Sequence, residues 1–227
     1  VFNIHIQDPK SNHNFFDLII SPEHDQLKKP NNISTLLALH NINFEKDIKK
    51  IDTINFIIGG SNKYFKFNQD TQNKILNDLD FLSKISLVNV IPSRRTPTKF
   101  IKKLELLKNR NIKLFNDIYD PIKYGSLLSE SNMQIVTWDS ISMISEAISS
   151  ETGTFLYKFE EESCPKRYML FYQLVKENGL IKNFNEDIKP YSISISAYNS
   201  EIKSKILNKI KSDLWFKNSV FKRFNTK

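Results

Sequence analysis

Pro92-Ser93-Arg94-Arg95-Thr96-Pro97 gathers two guanidinium groups and two hydroxyls in one short stretch. Fork-shaped arginine donors match the oxygens of a diphosphate or a carboxylate, and a helix opening just after them adds free amides and a positive dipole end. The same residues also make plain local structure, with Ser93 or Thr96 as a helix cap and Pro97 at the first helical position. Gly59-Gly60-Ser61 places two of the chain's 5 Gly side by side. Glycine lets the backbone approach a ligand closely and a serine hydroxyl can bond phosphate oxygens, although a tight turn needs the same residue types. The run 136–147 reads Val-Thr-Trp-Asp-Ser-Ile-Ser-Met-Ile-Ser-Glu-Ala. Asp139 or Ser140 can cap a helix here, and the free amides of its first turn, with the hydroxyls of Ser140 and Ser142 beside Met143, would face a phosphate. Glu146, about one and a half turns in, can accept two hydrogen bonds from a ribose diol.

Residues with such duties must be held at the ends of strands, and the hydrophobic pattern supplies the strands. Apolar runs at 53–58, 86–91, 112–115, 134–138 and 154–159 read as strands, with helix-length segments at 71–83, 97–109, 122–131 and 140–150 between them. Alternation of this kind predicts a parallel sheet covered by helices, an open doubly wound fold that receives ligands at the carboxyl ends of its strands. Upstream, an alternating run at 1–6, an apolar run at 15–20 ending in a polar Ser21-Pro22-Glu23-His24-Asp25 loop, and a short element at 32–39 form a smaller α/β part. The charged stretch 44–51 reads as the link, giving expected domains at 1–46, 47–190 and 191–227. The tail carries helices at 166–177 and 200–212, the second with Ile202, Ile206, Leu207 and Ile210 as one buried stripe. Residues 215–227 mix aromatics and lysines and read as a frayed end or a surface-binding helix. The chain opens at Val1 directly into a strand-like run, which reads as a sequence with earlier elements missing.

Composition narrows the classes. With 227 residues, 40% of them hydrophobic, the chain can bury a substantial core. One cysteine, Cys164, gives neither an internal disulfide nor a CxxC site. There is no membrane-helix run, no signal-peptide pattern, no GxGxxG and no GxxxxGK[ST], so the chain reads as soluble and outside the common dinucleotide and P-loop folds. The net charge of +8 lies largely in scattered and terminal lysines. That distribution permits a peripheral contact with an anionic membrane and argues against a nucleic-acid partner, because Arg and aromatics are not interleaved.

Gln7-Asp8-Pro9, the run 17–25, Gly59-Gly60-Ser61, Ser93-Arg94-Arg95-Thr96-Pro97 and 136–147 occur together in an order that resembles the mitochondrial-fission ELM-type family. The resemblance implies a GT-B-like glycosyltransferase. Its Rossmann-like lobe would hold a nucleotide-sugar donor through Gly60, Ser61, Ser93, Arg94, Arg95, Thr96, Asp139, Ser140, Ser142, Met143 and Glu146. A partial N-terminal lobe would face a glycolipid or polysaccharide acceptor of the cell envelope, with the terminal helix crossing back to it. The general base would come from His24, Asp25 or Asp8, His24 first. Neither cofactor nor metal is expected, since arginines and helix ends can neutralise the leaving diphosphate. The expected place is the cytoplasm, at the inner membrane face. Two other readings stay open: an adaptor of the kind by which plant relatives serve mitochondrial fission, and a nucleotide-sugar epimerase on the same scaffold.

Overall fold

The computed structural model describes residues 2–45, 48–107, 109–116, 118, 120–161, 163–185 and 188–224, with 214–224 given by backbone alone. The chain divides into two compact α/β units, residues 40–193 and residues 1–39 joined by 194–227. The breaks thus lie at 39/40 and 193/194, against the expected 46/47 and 190/191.

The larger unit is built on a sheet of six strands: β4 (Ile51–Ile58), β5 (Leu87–Pro92), β6 (Ile112–Leu114), β7 (Ser131–Thr137), β8 (Thr154–Tyr157) and β9 (Ile181–Asn183). Their spatial order is β6-β5-β4-β7-β8-β9, every pair parallel. Relabelled within this unit the order is 3-2-1-4-5-6, the doubly wound arrangement whose direction reverses between its first and fourth strands, β4 and β7. The central strands are apolar on both faces, as a sheet covered on both sides requires, and Phe56, Ile58, Val90 and Ile135 are fully buried. Helices α1 (Gln69–Ser83), α2 (Thr98–Glu105), α3 (Pro121–Glu130), α4 (Ile141–Ser149) and α5 (Lys166–Glu177) connect the strands. The first of them is capped by Asn68, whose side chain accepts from the Thr71 amide, and α3 by Asp120, with Pro121 in its first turn.

Three expectations change. The sixth strand, β9, was not expected because its three residues hold a single apolar position and follow directly on a turn at Gly179, whose φ of +67 favours glycine. Pro97, read as a first helical residue, is instead the extended N-cap of α2, and no side chain caps that helix. Strand β7 starts at Ser131, earlier than the polar residues Asn132 and Gln134 implied: Gln134 Nε2 donates to the Leu128 carbonyl and Ser131 Oγ in the core, and Asn132 Nδ2 donates to Asp52 at the exposed end of the strand.

One such network ties the sheet to α3. Asn55, fully buried on β4, donates to the Leu127 carbonyl at 2.8 Å and to Ser131 Oγ at 3.0 Å, and accepts from Asn89 at 2.9 Å. Asn55→Ala takes the side-chain donor from the Leu127 carbonyl and the acceptor from Asn89, while Ser131 Oγ keeps Gln134, and is expected to lower the unfolding free energy by about 1–3 kcal/mol, read as a lower urea midpoint at unchanged slope.

The smaller unit has a three-stranded parallel sheet, β1 (Ile4–Ile6), β2 (Leu18–Pro22) and β3 (Asn32–Thr35), with β2 buried throughout in the middle. Helix α6 (Ser196–Phe224) packs on β3, and the Leu36 amide donates to the Tyr198 hydroxyl. The expected tail stripe is only partly buried: Ile202 is covered, whereas Leu207 is 44% exposed. The helix backbone runs on past Trp215 to Phe224, and 225–227 lie outside the described residues.

Candidate functional site

At the carboxyl ends of β4, β5 and β7 the larger unit encloses a cavity of about 520 Å³. It forms at the reversal of strand order, where parallel strand ends diverge and leave a crevice. Its walls bring together Ser93, Arg94 and Arg95 from the loop after β5 with Ser140, Ser142, Met143 and Glu146 from the start of α4. Ile57, Ile91, Pro92 and Ile118 form the apolar part, and Tyr124 enters from α3.

Gly60, Ser61, Thr96 and Asp139 stand outside that lining and build the loops behind it. Asp139 is 1% exposed, and its carboxylate accepts from Thr137 Oγ1 at 2.7 Å and from the Gly60 amide at 3.2 Å, while Arg95 Nη2 pairs with it at 2.7 Å. Burial pushes the Asp139 carboxyl upward, and Arg95, Thr137 and Gly60 pull it back. The two glycines are required by space: a Cβ on Gly59 would lie 2.2 Å from the Asp139 carboxylate, and one on Gly60 2.0 Å from the Arg95 carbonyl oxygen. Thr96 Oγ1 lies 2.8 and 2.7 Å from the carbonyls of Ile58 and Gly59 and accepts from the Ser93 amide, stitching the loop after β5 to the loop after β4. Ser61 Oγ accepts from the Phe67 amide at 2.9 Å.

Within the cavity, Ser140 caps α4 by accepting from the Met143 amide at 3.5 Å, as the sequence allowed, and the first turn of this helix offers backbone donors and a positive dipole end. Arg94 is exposed on the wall, whereas Arg95 is committed to Asp139 on one side. Glu146, in the same lining, is half-buried. Burial raises its carboxyl to about 7, and the hydrogen bond from Tyr124 acts the other way. Burial and the Glu146 carboxylate together hold the Tyr124 phenol well above its ordinary range. The site therefore lines one cavity with cationic and amide donors and a carboxylate acceptor.

Tyr124, Ile57, Ile91 and Ile118 were not singled out in the sequence. A signal for Tyr124 did exist: all helices of such a sheet open at one edge, so the first turns of α3 converge with those of α4. Asp78 and Asp80 have an Asp-x-Asp spacing, but they lie within α1 and have separate duties, Asp78 accepting from Tyr157 at 2.6 Å and Asp80 pairing with Lys84 at 2.7 Å.

The three proposed base residues belong to the smaller unit. His24, placed by the sequence in a polar loop, is buried in a short 3-10 turn (Glu23–Asp25), with Nε2 3.9 Å from Asp25 Oδ1. Asp8 is drawn down to about 2: burial raises it, but hydrogen bonds from Lys10 and His13 prevail, which makes it a poor proton acceptor. Among the described residues, no helix is long and apolar enough to cross a membrane.

The sheet order and the crevice at its reversal define a Rossmann-like α/β protein. The chain belongs to the mitochondrial fission ELM1 family, whose sequence model matches residues 1–209. It is 34% identical to an uncharacterized protein of Rickettsia prowazekii (RP120) over 173 aligned positions, covering 70% of this chain and 46% of the relative. It is 25% identical to mitochondrial fission protein ELM1 of Arabidopsis thaliana over 224 positions, covering 81% of this chain and 51% of the relative. The chain thus spans about half the length of these curated relatives.

Proposed function

We propose that the 40–193 unit is the donor-binding half of a GT-B-like glycosyltransferase and that its crevice takes a nucleotide-sugar. The observation that carries this reading is that Glu146, the Ser93-Arg94-Arg95 loop and the first residues of α4 line one cavity. A nucleoside-diphosphate sugar has two anionic phosphates and a ribose diol, and the crevice offers guanidinium and amide donors to the first and a carboxylate to the second. In the transfer itself, charge builds on the leaving diphosphate, where Arg94 and the α4 amides stabilise it. The acceptor hydroxyl belongs to a cell-envelope glycolipid or polysaccharide; His24 could serve as its base only if its turn uncovered the buried imidazole. No metal or cofactor takes part in this scheme. The excess of lysine, giving a net charge of +8, favours work at the cytoplasmic face of an anionic membrane. The fission role named for the Arabidopsis relative is the second reading, a docking scaffold without turnover.

Calorimetric titration against UDP-, GDP-, ADP- and CMP-sugars tests the proposal. One of them should bind in the micromolar range, and Glu146→Ala should abolish that binding. Arg94→Ala should weaken it about tenfold, as expected for one charge-assisted contact at a partly solvated site. Silence across the panel from folded protein would favour the scaffold.

A further inference from the structure

We propose that His13, oriented by Asp8, is the proton acceptor of the smaller unit: with Nε2–H bonded to the Asp8 carboxylate, its bare Nδ1 takes the proton of an acceptor hydroxyl. Asp8 stands just beyond the carboxyl end of β1, and His13 opens a short 3-10 turn (His13–Phe15) on the way to β2. His13 Nε2 lies 3.3 Å from Asp8 Oδ1. The same oxygen accepts from the Lys10 amide at 3.0 Å, and the Lys10 ammonium holds Oδ2 at 2.5 Å. Burial alone would raise the Asp8 carboxyl, but hydrogen bonds from Lys10 and His13 draw it down to about 2, so it meets the imidazole as a carboxylate. The turn that carries the ring is fixed as well. Asn12 Oδ1 accepts from the Asn14 amide at 3.0 Å, and Asn31 Nδ2 donates to the carbonyls of His13 and Phe16 at 3.0 and 2.8 Å.

Two observations separate this pair from an ordinary loop contact. Asp8 is bracketed by Gln7, with φ of 78, and Lys10, with φ of 53, left-handed conformations that cost side-chain-bearing residues energy and that gather where a precise geometry is held. The ring also leaves something open: the His13 side chain is 22% exposed, and among the described residues nothing bonds to Nδ1. The other three histidines are placed differently. The His5 ring lies against Phe16 at 4.6 Å, His40 Nδ1 accepts from the Ile42 amide at 3.3 Å, and His24 is 2% exposed. An imidazole held by a carboxylate on its far nitrogen and open on the near one is the arrangement a general base requires. In a direct displacement the acceptor's O–H bond breaks and its proton goes to Nδ1, the oxygen bonds the anomeric carbon, and the bond from that carbon to the diphosphate breaks with its electron pair leaving on the diphosphate. Asp8 stays ionised and stabilises the imidazolium that forms. The use of His13 in sugar transfer rests on the nucleotide-sugar reading; the Asp8–His13 pair itself does not.

The experiment uses the full chain with nitrogen-15 in its histidines. At about pH 8 the His13 ring, assigned by its loss in His13→Ala, should show one fixed tautomer with the proton on Nε2, and Asp8→Ala should release it into a mixture. A wild-type ring that already exchanges between tautomers, or that carries its proton on Nδ1, would overturn the pair. Turnover is then read as release of nucleoside diphosphate from the nucleotide-sugar that binds, with water standing in for the acceptor hydroxyl. His13→Ala should lower it by about a hundredfold or more while affinity for that nucleotide-sugar holds, and added imidazole should restore part of the loss, which a merely structural role would not allow. Unchanged turnover in His13→Ala, a loss that imidazole does not restore, or a wild type that binds nucleotide-sugar without turning it over would overturn the role as base. If Asp8→Ala does not fold, the wild-type tautomer and the imidazole rescue decide both points. A wild type that binds no nucleotide-sugar removes the functional reading and with it the use of His13 in transfer, and leaves the ring spectrum to decide the pair.

Discussion

Replacing Asp139 by alanine should lower the unfolding free energy by about 3 kcal/mol, the largest stability loss expected from a single change at the crevice. Three donors converge on this buried carboxylate: the Thr137 hydroxyl, the Gly60 amide and the Arg95 guanidinium. Removing the acceptor strands the first two in a water-poor site, which costs more than the bonds themselves contribute. The share from Arg95 is discounted because that side chain is 36% exposed and can turn to water. Asp139→Asn should recover little, since an amide nitrogen would have to face an existing donor. Arg95→Ala should cost less than Asp139→Ala, because Thr137 and Gly60 still hold the carboxylate. Urea unfolding decides: a midpoint for Asp139→Ala equal to that of the wild type would mean that the carboxylate does not hold the glycine loop. The same variant should also weaken nucleotide-sugar binding, indirectly, because the Gly59-Gly60 turn and Arg95 would lose their shared anchor.

Asp139 also shows what a sequence can and cannot reveal. Its neighbourhood, a strand running into a Ser-rich helix, was legible from the change in hydrophobic period, and so were α1 through α5 and strands β4 to β8, each of which carries apolar residues at a regular period. The same stretch could not reveal that Asp139 turns away from the cavity to bind the backbone of a loop 79 residues earlier. That pairing depends on which strands become neighbours, and β4 lies beside β7 only through the sheet order. Gly60 and Thr96 have the same explanation: they stand at the crevice as its scaffolding, and their side chains and missing side chains serve loop-to-loop contact. His24 escaped for the opposite reason. Its charged neighbours Glu23 and Asp25 imply solvent, yet a left-handed residue at Gln26 folds the turn back and buries the imidazole. Short elements were the other loss. β9, Ile-Lys-Asn, has one apolar residue where the equally short β6 has two, but pairing along β8 is enough to extend the sheet.

The second large effect concerns pH. If the ribose diol donates to Glu146, only the ionised carboxylate accepts both hydrogen bonds, so nucleotide-sugar affinity should be highest above the raised value of about 7 and fall as pH drops through it, approaching tenfold per unit. The diester phosphates of a nucleotide-sugar keep their charge over this range, so the slope belongs to the protein. Glu146→Gln should bind about 10- to 100-fold more weakly than the wild type at pH 8, the expected value of a charge-assisted contact, and its affinity should not vary between pH 5.5 and 8. Stability must move the other way. A carboxyl raised in the folded state favours the protonated form there, so the wild type loses stability as pH climbs from the ordinary 4.5 toward 7, and Glu146→Gln should flatten that decline. The opposed slopes, binding improving while the empty fold weakens, separate a ligand-holding carboxylate from a merely buried one. A pH-independent wild-type affinity alongside the same stability slope would leave Glu146 buried and titrating but remove it from the ribose.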